Sequence, residues 1–423
     1  MSGVAIGLDL GTSGVRAALV DAARRPLAFA AAAIREGRRR DPESWWQATL
    51  AALDGLRAEA DLGGVRALAV DGTSGTVLAC DAGGRPLAPA SLYNDTADPA
   101  LVARIAAFAP PDSAARGATS PAARLLAFQD APGCAALLHE ADWLAGRLSG
   151  VFGVSDANNA LKTGYDPGLG RWPDWLAEAG IRRDLLPAVQ APATPIAAIL
   201  PDIAAKTGIA AAALVVSGTT DGCAAFLATG AARPGDGVTS LGTTLTLKLV
   251  SDRPIVAAEF GLYSHRLGEI WLSGGASNSG GAALARHFDA ASLARLSARI
   301  DVTRESGLDY YPLPRPGERF PIADPAFSPR ETPRPADEVA FLHGLLEGIA
   351  RIEKLGYQRL QELGAPPLRS VRTLGGGAAN AAWTAIRARV LGVPLRASCA
   401  EEAAVGVAGL ALQALSRRAP AAR

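Results

Sequence analysis

Residues 8–21 read LDLGTSGVRAALVD, and this stretch decides the fold. Two apolar runs of strand length flank the glycine-rich turn GTSG, so the spacing predicts a β-hairpin. The unusual feature is Asp9, which stands at the end of the first strand, just before the small residues at 11–13. A carboxylate beside glycine and two hydroxyl groups indicates a binding turn, although an ordinary hairpin with a capped turn is the alternative.

The composition indicates a large and nearly neutral globular protein. Of the 423 residues, 49% are hydrophobic and 20% are charged, and Lys+Arg 42 against Asp+Glu 41 gives a net charge of +1. This balance argues against a nucleic-acid partner, and the length suits two domains. The four cysteines form no CxxC pair, so neither a zinc site nor a disulfide framework is indicated.

The N-terminal sequence and the length of the apolar runs predict the cellular location of the protein. The N-terminal sequence lacks the basic segment of a signal peptide, and Asp9 interrupts its apolar stretch. No apolar run approaches the ~20 residues that a membrane span needs. We therefore expect a soluble cytoplasmic protein that binds small molecules, without a membrane partner. The sequence does not distinguish a monomer from a homodimer.

The pattern of strand, glycine turn and strand at residues 8–21 recurs in the second half of the chain. Residues 235–250 read GDGVTSLGTTLTLKLV, which is again strand, glycine-threonine turn and strand. Segments of the type strand, glycine turn and helix occur at 211–231 and 371–395. The pattern predicts two related α/β domains, which we place at residues 1–228 and 229–423.

Four junctions join a strand to a turn that combines glycine with Thr, Ser, Asn or Asp: residues 9–13, 218–222, 242–244 and 375–380. Glycine lets the backbone approach an oxyanion closely, and successive N–H groups in such turns form anion-binding concavities. The turns therefore predict phosphate binding. No GxxxxGK[ST] loop is present, and a strand rather than a helix follows GLDLGTSG, which excludes the Rossmann fingerprint.

Two carboxylates extend this interpretation. Asp9 would repel a phosphate unless a cation lay between them, and Mg²⁺ is commonly held by one or two carboxylates together with phosphates. Asp221 follows Gly-Thr-Thr at 218–220 and would accept the proton of a hydroxyl that attacks a γ-phosphate. Each residue has a structural alternative, because Asp221 would also cap a helix and Asp9 would also close a turn.

Four segments in this order resemble the FGGY carbohydrate kinases of the sugar-kinase, actin and chaperone-ATPase superfamily. Residues 8–21 resemble the first phosphate motif, and SGTTDGCAA at 217–225 resembles the catalytic-aspartate segment. TSLGTTLTLKL at 239–249 is similar to the second phosphate motif. LGGGAANAAWTAIRARVLGVPL at 374–395 is similar to the adenosine motif.

Within that family, two further segments look most like the short D-ribulose kinases, which are sometimes labelled xylulokinase-like. They are DGTSGTVLACDAGGRPLAPASLYND at 71–95 and SDANNALKTGYDP at 155–167. The resemblance implies transfer of phosphate from ATP to the terminal hydroxyl of D-ribulose. D-xylulose, L-ribulose or a sugar alcohol is the alternative substrate, and an actin-like ATPase that assembles or activates a partner is the alternative of another class.

The resemblance implies a two-domain actin-like ATPase (ribonuclease H-like) α/β fold, with ATP and Mg²⁺ in the cleft between the domains. It implies that Asp221 is the general base and that Asp9 binds Mg²⁺. The implied ATP-binding residues are Gly11, Thr12, Ser13, Gly242, Thr243, Thr244, Gly281, Gly375, Gly376 and Asn380. The implied sugar-binding residues are Ser74, Gly75, Asn94, Asp95, Asp156 and Asp221.

Several positions depart from the family pattern. A glycerol kinase would have Arg-Glu where this chain has Ser-Gly at 74–75, which argues against glycerol. Tyr-Asn at 93–94 replaces the tryptophan often found before the second substrate aspartate. Arg124 stands where Lys is expected, and Ala127 stands where Trp is expected. We interpret Arg16 as a solvated or salt-bridged strand residue and do not include it in the site.

Overall fold

Buried apolar segments of the chain form two six-stranded sheets. The computed structural model describes residues 3–418. The strands are β1 (Val4–Leu10), β2 (Gly14–Val20), β3 (Pro26–Ala33), β4 (Val65–Gly72), β5 (Val77–Cys80), β6 (Ala136–His139), β7 (Val154–Asp156), β8 (Ala188–Gln190), β9 (Pro195–Ala198), β10 (Leu214–Thr220), β11 (Asp236–Leu241), β12 (Leu245–Ser251), β13 (Tyr263–Leu267), β14 (Ile270–Ser277), β15 (Ser370–Leu374) and β16 (Leu395–Arg396).

Most helices begin where the sequence supplies a capping side chain. The Asp41 carboxylate accepts a hydrogen bond from the Glu43 amide, as the sequence predicts for the first helix. The helices are α1 (Pro42–Glu59), α2 (Pro99–Phe108), α3 (Pro121–Phe128), α4 (Glu140–Ser149), α5 (Ala157–Leu161), α6 (Trp175–Glu178), α7 (Pro201–Thr207), α8 (Asp221–Ala228), α9 (Gly281–Ala285), α10 (Ala290–Ser297), α11 (Glu338–Glu362), α12 (Ala381–Leu391) and α13 (Ala403–Arg418). Within residues 3–418, no helix combines the length and apolar character that a membrane crossing requires.

The first compact unit comprises the chain up to Ala228, His265–Gly268 and the segment that begins at Ala400. Its large sheet has the strand order β3-β2-β1-β4-β10-β9. The predicted opening hairpin is present as the antiparallel pair β1 and β2. Strands β1, β4 and β10 are parallel neighbours, so their carboxyl ends lie at the same edge of the sheet.

Helix α13 covers one face of this sheet. It packs against β1, β4 and α8, and its residues Val407, Ala408 and Ala411 are buried there. Helix and sheet approach closely because glycine stands at the contact points. A Cβ on Gly406 would lie 1.8 Å from the carbonyl oxygen of Ala224 in α8. By its contacts α13 belongs to the first unit, whereas the division at 228/229 assigned it to the second domain.

The second compact unit comprises Thr229–Ser264 and Glu269–Cys399. Its sheet has the order β13-β14-β12-β11-β15-β16, and the second hairpin predicted from sequence is the antiparallel pair β11 and β12. The long helix α11 fills the core with one apolar side, which includes Leu342, Leu345 and Ile349. Strands β11 and β15 are parallel neighbours, so the turns that follow them emerge at one edge.

The close approach of α13 to α8 generates a stability prediction. We expect Gly406→Ala to lower the free energy of unfolding by about 1–3 kcal/mol, because the added methyl group overlaps backbone that cannot move alone. Gly409→Ala is the matched control in the same helix, since its nearest neighbour is the flexible Arg24 side chain at 3.4 Å. That control should be unchanged or more stable by up to ~1 kcal/mol. Urea denaturation measures both, and equal effects would contradict the tight contact.

Candidate active site

Three carboxylates of the first unit meet at the carboxyl ends of parallel strands. Asp9 of β1 pairs in register with Asp71 of β4, and Asp71 lies opposite Thr219 of β10. Asp221 follows β10 directly as the first residue of α8. The sheet therefore brings the predicted residues Asp9 and Asp221 to one edge. It adds Asp71, which the sequence analysis missed.

Asp71 is fully buried, and neither of its carboxylate oxygens has a hydrogen-bond donor among the described residues. Burial raises the pKa of Asp71 well above its ordinary value, and the charges of Asp9, Asp221 and Glu140 act in the same direction. A protonated Asp71 would donate a hydrogen bond to Asp9, whereas two ionised carboxylates would repel each other. The local sequence carries no signal for this contact, because it arises from the pairing of distant strands.

The first glycine turn places the positively charged Arg16 side chain beside Asp9. The Arg16 guanidinium lies 3.3 Å from Asp9 Oδ2, and about half of its side chain is exposed. Thr12 and Ser13 are exposed, and the Gly11 amide donates to the Gly14 carbonyl within the turn. The Arg16 guanidinium therefore stands at this turn, where its N–H groups are able to donate to an anion. The interpretation of Arg16 as a salt-bridged residue is confirmed.

Asp221 is the first residue of α8. Its Oδ1 accepts a hydrogen bond from the adjacent Gly222 amide at 2.6 Å. The residue is half-buried, whereas Thr219 and Thr220 before it are buried. A half-buried carboxylate at a strand end is able to accept a proton from a ligand hydroxyl.

A second buried acid, Glu140, anchors the turn that follows β4. Glu140 accepts hydrogen bonds from the Thr73 amide and hydroxyl, and its other oxygen pairs with Arg39 at 2.6 Å. Burial raises the pKa of Glu140 to about 7, although Arg39 and Thr73 favour its charged form. The Thr73 hydroxyl also contacts that of Thr76 at 2.6 Å. This network fixes residues 73–76, and the sequence analysis did not identify it.

The structure brings two of the predicted sugar-binding segments together. Arg124 is buried and donates to the carbonyl of Gly75 at 2.5 Å and to that of Leu92 at 2.6 Å. The Asp95 carboxylate accepts hydrogen bonds from Nη1 and Nη2 of Arg40, at 2.5 and 2.7 Å. This hydrogen bonding lowers the pKa of Asp95 to about 2. The segments at 74–75 and 91–95 therefore form one wall in which Asp95 is ionised.

The remaining predicted sugar contacts occupy different settings. The Ser74 hydroxyl is buried without a partner among the described residues, and Asn94 is exposed. Asp156 is buried and caps α5, where its carboxylate accepts from the amides of Asn158 and Asn159. Burial raises the pKa of Asp156 to about 7, and the charge of Asp142 adds to this effect. The sugar contact of Asp156 stays a prediction.

The second unit brings its own glycine turns together. The Gly281 amide donates to the Gly242 carbonyl at 2.8 Å, and the Ala282 amide donates to the Thr243 carbonyl at 3.0 Å. Gly375 has a φ of +85°, and a Cβ there would lie 2.8 Å from the Leu241 carbonyl oxygen. Only glycine therefore fits this position. The turns surround a pocket of about 770 Å³, lined by Gly242, Thr243, Gly281, Gly376 and Asn380 together with apolar side chains.

The other walls of this pocket are mainly apolar. Leu284, Phe288, Leu293 and Trp383 line it. Asn380 caps α12, because its Oδ1 accepts from the Trp383 amide, while its Nδ2 donates to the hydroxyl of Ser297 at 2.8 Å. An apolar slot that ends in glycine turns is suited to a nucleoside with phosphates. Thr244 and Gly375 lie in the same turns but outside the lining of the pocket.

A buried ion pair connects the elements that carry these turns. Arg387 of α12 and Glu353 of α11 are completely buried and form two hydrogen bonds, at 2.6 and 2.8 Å. Glu353 accepts from the Thr239 hydroxyl of β11, and Arg387 donates to the Thr373 hydroxyl of β15. The pair therefore fixes β11 and β15 close to the points where the Gly242 and Gly375 turns begin.

The setting of Asp71 generates a prediction on pH-dependent stability. Since the folded-state pKa of Asp71 is raised, the free-energy cost of folding with this carboxyl grows as the pH rises from its ordinary pKa of 3.8 to the folded-state pKa, and acidification relieves it. We expect Asp71→Asn, measured by denaturation without divalent cations, to stabilise the protein more at pH 8 than at pH 5. Each unit of pKa shift corresponds to about 1.4 kcal/mol. Asp54→Asn, at an exposed residue of α1, should show no such difference. A variant that is less stable at pH 8 would contradict the argument.

Comparisons with known proteins agree with this arrangement of turns. Residues 237–415 match the C-terminal domain of the FGGY family of carbohydrate kinases. The xylulose kinase of Escherichia coli (strain K12) is 28% identical over 419 residues, an alignment that covers 92% of this chain and 85% of that protein.

Solved structures of two sugar or polyol kinases have a similar fold. The xylulose kinase from Brucella ovis is 25% identical with a TM-score of 0.85, and the match covers 98% of this chain and 91% of that one. The glycerol kinase from Plasmodium falciparum, solved with ADP, is 15% identical with a TM-score of 0.83, covering 99% and 91%. The predicted actin-like ATPase fold is confirmed, and residues 237–415 match the C-terminal domain of the FGGY family of carbohydrate kinases.

Proposed function

We propose that this carbohydrate kinase transfers the γ-phosphoryl group of ATP to the terminal hydroxyl of a ketopentose, with D-ribulose as the first candidate. The observation that carries the proposal is the position of Asp221, a half-buried carboxylate at the end of β10 beside the carboxylates of β1 and β4. In the reaction the hydroxyl oxygen forms a bond to the γ-phosphorus, the bond to the β-phosphate oxygen breaks, and ADP leaves. Asp221 takes the hydroxyl proton.

The proposed nucleotide contacts come from backbone turns in each unit. In the first unit the phosphates would contact Gly11, Thr12, Ser13 and the exposed guanidinium of Arg16. In the second unit the contacts would be Gly242, Thr243, Thr244 and Gly281, with the adenosine at Gly375, Gly376 and Asn380. The pocket of about 770 Å³ beside these second-unit turns is large enough for a nucleoside.

The residues present also fit Mg²⁺. Asp9 offers hard oxygen donors at the first phosphate turn. Among the described residues, no three His, Cys, Asp or Glu side chains are grouped so as to hold a metal by themselves. Asp9 would therefore share the ion with phosphate oxygens and water, the usual arrangement for Mg²⁺ in kinases. When bound, the ion would neutralise charge on the transferred phosphoryl group.

The sugar is assigned to the wall formed by residues 74–75 and 91–95. The ionised Asp95, the unpartnered hydroxyl of Ser74 and the exposed Asn94 offer both donors and acceptors to a polyol. D-ribulose is proposed from the segments that resemble the short D-ribulose kinases. D-xylulose is the second candidate, because the E. coli and Brucella ovis relatives are xylulose kinases.

The proposed role of the base leads to a prediction for Asp221→Asn. We expect kcat to fall by at least ~10²–10⁴-fold, because the neutral amide cannot take the hydroxyl proton. The Kd for ADP, measured by isothermal titration calorimetry, should change less than threefold. Asp202→Asn is the matched control, since Asp202 is an exposed acid in the first turn of α7. Comparable kcat values for the Asp221 variant and the parent would remove Asp221 from this role.

A substrate screen tests the reaction itself. ADP release should be measured with D-ribulose, D-xylulose, L-ribulose and ribitol, and we expect the highest kcat/KM for D-ribulose. A preference for D-xylulose would replace the first candidate by the second. If no ketose or polyol increases ADP release from a protein that binds ATP, the proposed phosphotransfer is contradicted.

A further inference from the structure

A buried glutamate lies in the proline-rich segment at residues 311–335, which precedes α11 in the second unit. Glu318 is 3% exposed, and its carboxylate accepts four hydrogen bonds from neutral donors. A buried carboxylate is costly unless its oxygens are hydrogen-bonded or paired with a cation. The four donors therefore have to keep their places around Glu318, and the proposed reaction gives this acid no role.

The donors reach Glu318 from two parts of the chain. Its Oε2 accepts from the hydroxyls of Ser277 at 2.6 Å and Tyr311 at 2.9 Å. Its Oε1 accepts from the amides of Asn278 at 2.8 Å and Arg319 at 2.9 Å. Two of the four donors thus belong to the last residue of β14 and the residue that follows it. The carboxylate fastens the end of β14 to the proline-rich segment.

The residues after β14 support the glycine turn that precedes β12. The Ser277 hydroxyl accepts from the Ser279 amide at 3.0 Å, and the Ser279 carbonyl accepts from the Leu245 amide at 2.7 Å. Leu245 is the first residue of β12, directly after the turn. Two residues further along, the Gly281 amide donates to the Gly242 carbonyl at 2.8 Å. Hydrogen bonds therefore lead from the end of β14 to both ends of the turn.

This part of the chain also lies directly against the turn. Gly280 has a φ of +128°, and a Cβ there would lie 2.8 Å from the carbonyl carbon of Thr244. The Ser279 hydroxyl donates to the Pro312 carbonyl at 2.6 Å, which is a second link to the proline-rich segment. Because the two backbones touch without a side chain between them, a displacement of residues 277–280 displaces the turn as well.

We propose that Glu318 is a positioning residue for the nucleotide, because it holds the end of β14 and thereby the turns at 242–244 and 280–281 that contact the phosphates of ATP. The inference rests on the proposed function, which assigns the phosphates to these turns. It extends the nucleotide site to a segment that provides none of the residues lining the pocket of about 770 Å³. Loss of the carboxylate weakens nucleotide binding and leaves the sugar-binding wall of the first unit unchanged.

The test compares Glu318→Ala with Glu318→Gln by calorimetric titration with ADP. Glu318→Ala leaves four donors without their acceptor, so we expect the Kd for ADP and the KM for ATP to rise about tenfold or more, and the KM for D-ribulose to stay within about twofold. Glu318→Gln keeps an oxygen for the two backbone amides, and its NH₂ group faces two hydroxyls that also accept hydrogen bonds. Its Kd for ADP should stay within about threefold of the parent value.

Asp309→Asn is the matched control, since Asp309 is an exposed acid just before the same segment and pairs with Arg330 instead of β14. A second pair of variants separates the two sides of the carboxylate. Ser277→Ala and Tyr311→Phe each remove one hydroxyl donor to Glu318 Oε2, but only Ser277 belongs to β14. We expect Ser277→Ala to weaken ADP binding about fivefold or more, and Tyr311→Phe to weaken it clearly less. Thermal denaturation verifies that each variant is folded.

The outcomes separate this inference from the proposed function. The inference is refuted, and the phosphotransfer stands, if folded Glu318→Ala binds ADP as tightly as the parent or raises both KM values by the same factor. Equal effects of Ser277→Ala and Tyr311→Phe also refute it, including the case in which Glu318→Ala does not fold. If the parent binds ADP but phosphorylates no ketose, the proposed function fails, and the ADP titrations still decide the role of Glu318. A parent that binds no ADP contradicts both.

Discussion

The parallel pairing of β1, β4 and β10 is the constraint on which the first unit depends. Parallel strands deliver their carboxyl ends to a single edge, so the fold concentrates acidic residues that would repel each other in water. Asp71 lies at the centre of this group and is fully buried, with Asp9 in register beside it. The arrangement is tolerable when a proton or a cation reduces the charge. A buried cluster of this kind therefore favours the binding of a cation, for which Asp9 offers its carboxylate beside the first glycine turn.

In the second unit, a buried ion pair holds the strands that precede the glycine turns. Its glycine turns have little side-chain material to hold them, so their positions depend on the strands that precede them. The completely buried pair of Arg387 and Glu353 ties β11 and β15 together through the hydroxyls of Thr239 and Thr373. A buried ion pair is weak evidence for stability by itself. Its directional hydrogen bonds do define the register of the two strands, and hence the spacing of the two turns.

The strand pairing in the first unit and the buried ion pair in the second explain which parts of the structure could be predicted from the sequence. The hairpins, the glycine turns and the residues Asp9 and Asp221 follow from local patterns, because turn geometry and strand periodicity are encoded by neighbours in the chain. Asp71 and Glu140 could not be found in this way, since each acquires its setting from a distant segment. Helix α13 is a further example: its apolar character predicts burial, but the unit that it covers depends on the close contact at Gly406.

The same distinction separates the two halves of the proposed reaction. Phosphate recognition relies on backbone amides in glycine turns, so its sequence signature is short, local and shared among distant relatives. The proposed sugar-binding wall is held by long-range contacts, such as those of Arg124 with Gly75 and Leu92. No short motif encodes these contacts. Under the proposed function, substrate choice therefore depends on positions that lie outside every phosphate motif.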